Sequence, residues 1–312
     1  MSFGTIINDQ TSKKALYLVF FRVSAALFTL LHFMAVYKDV PYLFGSLSLL
    51  PNPISNMYVS PDIITHYRLS QSLVIPMETY WFLATLLFIL FCVLVVIGFL
   101  TQFSALVLLL LHIALLKNNI FFNYGVDYFT SISLFFLCFL PSNVYFSVDA
   151  FLFKKLISKF KGVINYRLLR KLLGVFMCIA YFFSGFDKLL GYNWRNGEAI
   201  WKTITLPYFN LDFNIGVAWL SGHQWLLAII GWSVILIEMF YFLINVKMLR
   251  KYWLAATIAM HLGIALLLNL YFFSALMIIL NLTAYYDFEK NNSFIFNFRR
   301  LNKKYSPLRI TR

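Results

Sequence analysis

The stretch TYWFLATLLFILFCVLVVIGF, residues 79–99, carries no Asp, Glu, Lys or Arg, and its reading decides the fold. A bilayer core about 30 Å thick is crossed by roughly 20 apolar residues in a helix, with every backbone polar group paired inside the segment. Apolar runs of the same kind lie at about 14–36, 102–117, 126–142, 172–190 and 224–246. After Lys251 one run continues to Tyr286, too long for one upright span and short for two. Asn269 near its middle, followed by Tyr271, allows a tight hairpin. Counted as two helices, it brings the total to eight, and the fold class is all-α: a polytopic transmembrane helix bundle of about eight spans. Residues 1–312 read as one membrane domain, with the bundle over about 14–286 and a basic tail over 287–312.

Composition agrees. The chain of 312 residues is 61% hydrophobic and 20% aromatic, only 12% charged, with a mean hydropathy of +0.77. Soluble domains carry about a quarter charged residues. The first run, Ala15 to Val36, has no small-residue cleavage site behind it and reads as an uncleaved first span. Cys92, Cys138 and Cys178 each lie inside an apolar run, without disulfide or metal spacing.

A net charge of +14 would suit nucleic acid if it were spread over one soluble face. Instead, 19 of the 26 Lys and Arg fall in four short segments beside apolar runs, at 13–14, 154–171, 247–251 and 290–312. That is the positive-inside pattern, with attraction to anionic lipid as its companion. Eight spans put all four segments on one side, so both termini are expected in the cytoplasm of a cell whose plasma (inner) membrane holds the protein. The partners expected are membrane lipids, with no nucleic acid. Between the first two spans, Pro41, Pro51, Pro53, Pro61 and Pro76 forbid one regular helix. Ile63, Ile64, Tyr67 and Leu73 allow a short amphipathic helix on the outer interface.

An ionisable residue within a span costs about 2.5–3.5 kcal/mol on insertion scales, so each one asks for a reason. Arg22 lies in the first turns of the first span, where it can snorkel to the headgroups or join an ion pair inside the bundle. Asp127, after Asn123-Tyr-Gly, sits where a helix dipole favours a carboxylate. Glu238 is too deep and too short to reach water, so it is either protonated and hydrogen-bonded or paired with a buried cation. His261 can hydrogen-bond across helices. Lys188 closes the fifth span, with Tyr181 and Ser184 on its helical face at spacings of seven and four. Gly185 lets a neighbouring backbone approach. Spacing alone also allows Lys188 to snorkel outward beside an interfacial Trp194. No histidine or carboxylate stands at ligand spacing from His261, so no metal is expected.

The phrase YFFSGFDKLLGYNWRNGEAIW, Tyr181 to Trp201, resembles a signature of the vitamin K-dependent γ-carboxylase-like family, also called the horizontally transferred transmembrane (HTTM) domain. NNIFFNYGVDYF (Asn118 to Phe129), YFSVDAFLF (Tyr145 to Phe153), a mid-helix Glu238 and HLGIALLLNLYFFSALMI (His261 to Ile278) resemble its other landmarks, in order. The resemblance implies that Lys188 is a catalytic base for a reduced, vitamin K-like quinone. By helix rise and topology His261 faces the same funnel as Lys188 without touching it, His261 at the floor and Lys188 at the rim. Arg22, Asp127, Glu238, Tyr181 and Trp194 are then cavity or structural polar residues. The resemblance also implies action at the extracytoplasmic face on a quinone-like lipid, an exported peptide or both. The chain departs from the carboxylases at Asn118-Asn119-Ile120, where they have a histidine, and at Asp187-Lys188, where they have tandem lysines. A short member of this kind is also similar to the membrane maturation factor of the sporulation-delaying peptide toxin. The alternative is accordingly a non-catalytic maturation or binding partner for a secreted hydrophobic peptide.

Overall fold

In the computed structural model, residues 10–118, 120–161, 163–206 and 216–288 are described. Among them no strand occurs, and eight apolar helices form the frame. These are α1 (Gln10–Val36), α2 (Met77–Ile97), α3 (Thr101–Asn118), α4 (Gly125–Phe139), α5 (Tyr166–Leu190), α6 (Gln224–Met239), α7 (Arg250–Leu268) and α8 (Tyr271–Tyr285). Five are long and apolar enough to cross a membrane: α1, α2, α3, α5 and α7. The other three have 15, 16 and 15 residues. At 1.5 Å per residue these reach roughly 22–24 Å, somewhat less than a bilayer core.

Where the helices stop has local causes. Leu140 precedes Pro141 and takes an extended backbone, so α4 ends three residues short of the apolar run that contains it. The run 224–246 is α-helical only to Met239 and continues as a 3-10 helix, Tyr241–Asn245. The long C-terminal run is two helices: Asn269 adopts a left-handed conformation with φ of 52° and turns the chain from α7 into α8. The segment between α1 and α2 differs from an interfacial helix. Its helical pieces are Val40–Leu43, Asn52–Met57 and His66–Ser72, and the last excludes Ile63, Ile64 and Leu73. His66 is buried against Tyr80 of α2 and the Leu111 carbonyl of α3, so this piece is pinned to the bundle. The basic tail beyond residue 288 lies outside the described residues.

The bundle has an apolar exterior, and its largely apolar core encloses the chain's buried polar groups. Leu83, Leu86, Leu87 and Leu90 of α2 are 44–49% exposed, whereas Arg22, His112, Thr130, Ser133, Glu238, His261 and Asn281 are buried. Water would not tolerate so broad an apolar exterior, and lipid would not tolerate the reverse arrangement. Helices α1 to α4 pack in sequence, as do α5 with α6 and α7 with α8. Helix α8 joins the halves, packing on α1, α4, α5 and α7. The protein is thus embedded in a membrane with several spans.

Candidate functional site

Two sets of polar groups lie along one face of α5. At the end of that helix the Lys188 ammonium sits 2.6 Å from Glu238 Oε2 on α6 and donates to Ser184 Oγ, one turn back, at 2.7 Å. The Trp194 ring lies over the ammonium at 5.2 Å. Lys188 therefore folds back against α6 rather than snorkelling outward, and the buried Glu238 is its partner. Asp187 is exposed and takes no part.

Glycines make this pair possible. A Cβ on Gly185 would lie 2.5 Å from the Met239 nitrogen and 3.0 Å from the Glu238 carbonyl carbon. Without a side chain there, α6 rests directly on α5 with Glu238 beside Lys188. Gly231 does the same for the Trp194 carbonyl oxygen, which a Cβ would overlap. That closes the short helices Tyr192–Arg195 and Glu198–Thr205 onto α6 and sets Trp194 above the lysine.

Two turns down the same face, Tyr181 OH meets His261 Nε2 of α7 at 2.6 Å. Asn281 of α8 donates to Tyr181 OH at 2.8 Å and to the Met277 carbonyl at 2.8 Å. Tyr241 OH donates to Asn281 Oδ1 at 2.6 Å, and its ring stacks on Tyr181 with centroids 4.2 Å apart. His261 is 2% exposed, and its Nδ1 has no hydrogen-bond partner among the described residues. No hydrogen bond joins Lys188 to His261 among the described residues; they share the α5 face through Tyr181. Asn281 and Tyr241 were not among the sequence candidates. A lone Asn within LMIILNLTAY, and a Tyr three residues after Glu238, were their only signals.

The remaining candidates sit elsewhere. Asp127 Oδ2 accepts from the Tyr124 N–H at 3.0 Å, holding the first turn of α4, and its backbone carbonyl faces His112 Nε2 at 3.2 Å. It lines a small cavity of about 90 Å³ with His32 and His112. Arg22 does not snorkel, and it forms no ion pair among the described residues. It is 1% exposed and donates to the Ser142 carbonyl at 2.6 Å and the Phe146 carbonyl at 2.5 Å. The reason is the loop after α4, whose carbonyls have no helix to pair with. Gly98, with φ of 74°, leaves room for the guanidinium. In the short helix Val148–Leu152 that follows this loop, Asp149 accepts from the Leu100 and Thr101 N–H groups at 2.7 and 3.0 Å, capping α3. The YFSVDAFLF phrase is thus a staple between the α2–α3 turn and that loop. No group of three or more His, Cys, Asp or Glu able to hold a metal ion occurs among the described residues.

No curated protein and no solved structure matches the chain. The HTTM domain matches residues 18–289, nearly the whole bundle with both polar sets inside it. The chain belongs to the HTTM domain family.

Proposed function

We propose that this protein is a γ-carboxylase-like membrane enzyme acting at the extracytoplasmic face on a quinone-like lipid, an exported peptide or both. The observation that carries the reading is the part-buried Lys188–Glu238 pair at 2.6 Å, roofed by Trp194. A surface ion pair would contribute little. Here the Glu238 carboxylate is buried and the Lys188 side chain is 19% exposed. A carboxylate taken out of water is costly and is retained where it serves a purpose. With Glu238 ionised, Lys188 is an ammonium and cannot accept a proton. Transfer of one proton across the short hydrogen bond leaves a neutral amine beside a neutral acid, and the amine can then take a proton from a ligand hydroxyl. Glu238 is in this sense what arms Lys188 and returns it to rest.

A reduced quinone fits the site in one respect. His261 presents a buried ring nitrogen without a partner, against the Phe273 ring at 5.8 Å. His261 and Lys188 would hold the oxygens of such a group. When bound it would supply, through its oxidation by O2, a base stronger than any side chain here. Membranes bearing wild-type or Lys188→Arg protein, given a reduced naphthoquinone, oxygen, ¹³C-bicarbonate and secreted peptides, test the reading. Arg keeps the charge but cannot serve as a base near neutral pH. Wild type should convert lipid or label peptide, and Lys188→Arg should not. Equal conversion by both would remove Lys188 as the base.

A second reading is a non-catalytic maturation or binding partner for a secreted hydrophobic peptide. The exposed Tyr192, Trp219 and Trp225, on the segments that lead from α5 into α6, favour it. Mass spectrometry of lipids and peptides co-purified from native membranes separates the two, since this reading keeps peptide bound in Lys188→Arg.

A further inference from the structure

The hydrogen bonds around His261 run in one direction. The Met277 carbonyl can only accept, so the Asn281 group facing it is the NH2, and that group also reaches Tyr181 OH. Asn281 Oδ1 is then left for Tyr241, whose hydroxyl donates. Tyr181 OH, already accepting from Asn281, has one proton of its own, and the remaining neighbour is His261 Nε2 at 2.6 Å. If Tyr181 donates there, Nε2 is the acceptor nitrogen of a neutral ring and the ring proton sits on Nδ1. The opposite arrangement, Nε2–H donating to Tyr181, strands both the Tyr181 proton and the Nδ1 lone pair. The first arrangement strands one group and the second strands two, so the first is the stable one.

That one group is the Nδ1–H, buried and without a partner among the described residues. Folded proteins satisfy nearly all such donors, and an exception calls for an explanation. We propose that Tyr241, Asn281 and Tyr181 are positioning residues that fix His261 in the tautomer protonated at Nδ1. This N–H is offered to an acceptor oxygen, a carbonyl or an oxyanion, of the ligand. His261 is thus a hydrogen-bond donor in the site rather than its base. A protonated Nδ1 also has no lone pair for a metal ion, and it repels ammonium and other donor groups. The ligand part of the inference rests on the reading of His261 as part of the site; the tautomer does not.

Nitrogen NMR of the full chain in nanodiscs, labelled with ¹⁵N-histidine, tests it. Its five histidines are distinguished by loss of one signal pair in His261→Gln. Wild type should show a one-bond ¹⁵N–¹H coupling at Nδ1 of His261 and a bare Nε2. Tyr181→Phe should move the proton to Nε2. Tyr241→Phe keeps the ring stack but removes one of the two bonds that orient the Asn281 amide, leaving only that to the Met277 carbonyl. It should move part of the population to the other tautomer, which covers the case of Tyr181→Phe not folding. A wild-type proton on Nε2, or a tautomer unchanged in both variants, would overturn the positioning chain. Menadione, whose oxygens accept and cannot donate, is the ligand probe and should shift the wild-type Nδ1–H proton signal. A signal unmoved by menadione would overturn the acceptor-oxygen assignment. None of these spectra depends on Lys188, whose role is decided separately by Lys188→Arg.

Discussion

Gly185 on α5 lies against the backbone of Glu238 and Met239 on α6, so closely that an added Cβ would sit 2.5 Å from the Met239 nitrogen. This contact fixes the distance between the two helices at the level of the Lys188–Glu238 pair. Gly185→Ala must push backbone aside, because no flexible side chain is there to yield. Overpacking of this kind costs about 1–3 kcal/mol. Gly185→Ala is therefore expected to lower the unfolding midpoint in detergent and to reduce function even though it touches no charged group. An Ala variant as stable and active as wild type would show that the helices are not held at this separation.

The ion pair itself calls for a double-mutant cycle. Removing one partner leaves an uncompensated charge, at a cost of about 3–5 kcal/mol in a fully buried pair and less where, as here, the lysine is 19% exposed. Replacing both with apolar groups can be nearly neutral. Lys188→Met and Glu238→Leu should each lower the unfolding midpoint, and the double variant should recover most of the loss. Glu238→Gln should behave like the other single variants, because the amide leaves the ammonium unpaired. If the single effects simply add, the two groups are not paired in the membrane.

Much of this architecture was legible in the sequence, and the reasons are physical. Lipid demands long apolar runs, so the helices announced themselves, and the αL turn at Asn269 could be anticipated because Asn tolerates that conformation. Lys188, Ser184 and Tyr181 were readable as one face because helical spacing fixes their relation within α5. What joined them across helices was not readable. Glu238 was a carboxylate without a known partner until Gly185 brought α6 against α5. Arg22 was misjudged because its partners are main-chain carbonyls of a loop over a hundred residues away, which leave no mark on side-chain sequence. Asn281 and Tyr241 looked like ordinary residues of apolar runs, since their meaning depends on α8 lying between the two halves.

Sidedness remains an expectation from charge bias and span parity. Single cysteines at Lys159, Lys247 and Ser221, in a background lacking Cys92, Cys138 and Cys178, would report it. In intact cells an impermeant maleimide should label the Ser221 position alone, and all three should react once the membrane is opened. Labelling at Lys159 or Lys247 in intact cells would invert the topology and place Lys188 at the cytoplasmic end.

His66 supplies a pH dependence outside the spans. Its Nε2 faces the Leu111 carbonyl at 3.0 Å and its Nδ1 the Tyr80 hydroxyl at 2.7 Å. The carbonyl can only accept, so Nε2 carries the proton and Nδ1 accepts from Tyr80, which satisfies a neutral ring completely. Burial pushes its pKa down from 6.5 to about 4, partly countered by the bond to the Leu111 carbonyl. Because the folded value is depressed, the unfolded chain binds the extra proton first as pH falls. The stabilisation is complete above about pH 6.5, is lost progressively towards pH 4 and then levels off. At about 1.4 kcal/mol per pKa unit, the loss over that window is roughly 3 kcal/mol. Unfolding midpoints in detergent should therefore drop between pH 7.5 and pH 4.5 more steeply for wild type than for His66→Asn, which has nothing to titrate. At pH 7.5 the Asn variant should be the less stable of the two, since it cannot span both partners. The gap should narrow as the medium is acidified, and a gap that stays constant would mean that His66 is already charged or already in contact with water in the folded protein.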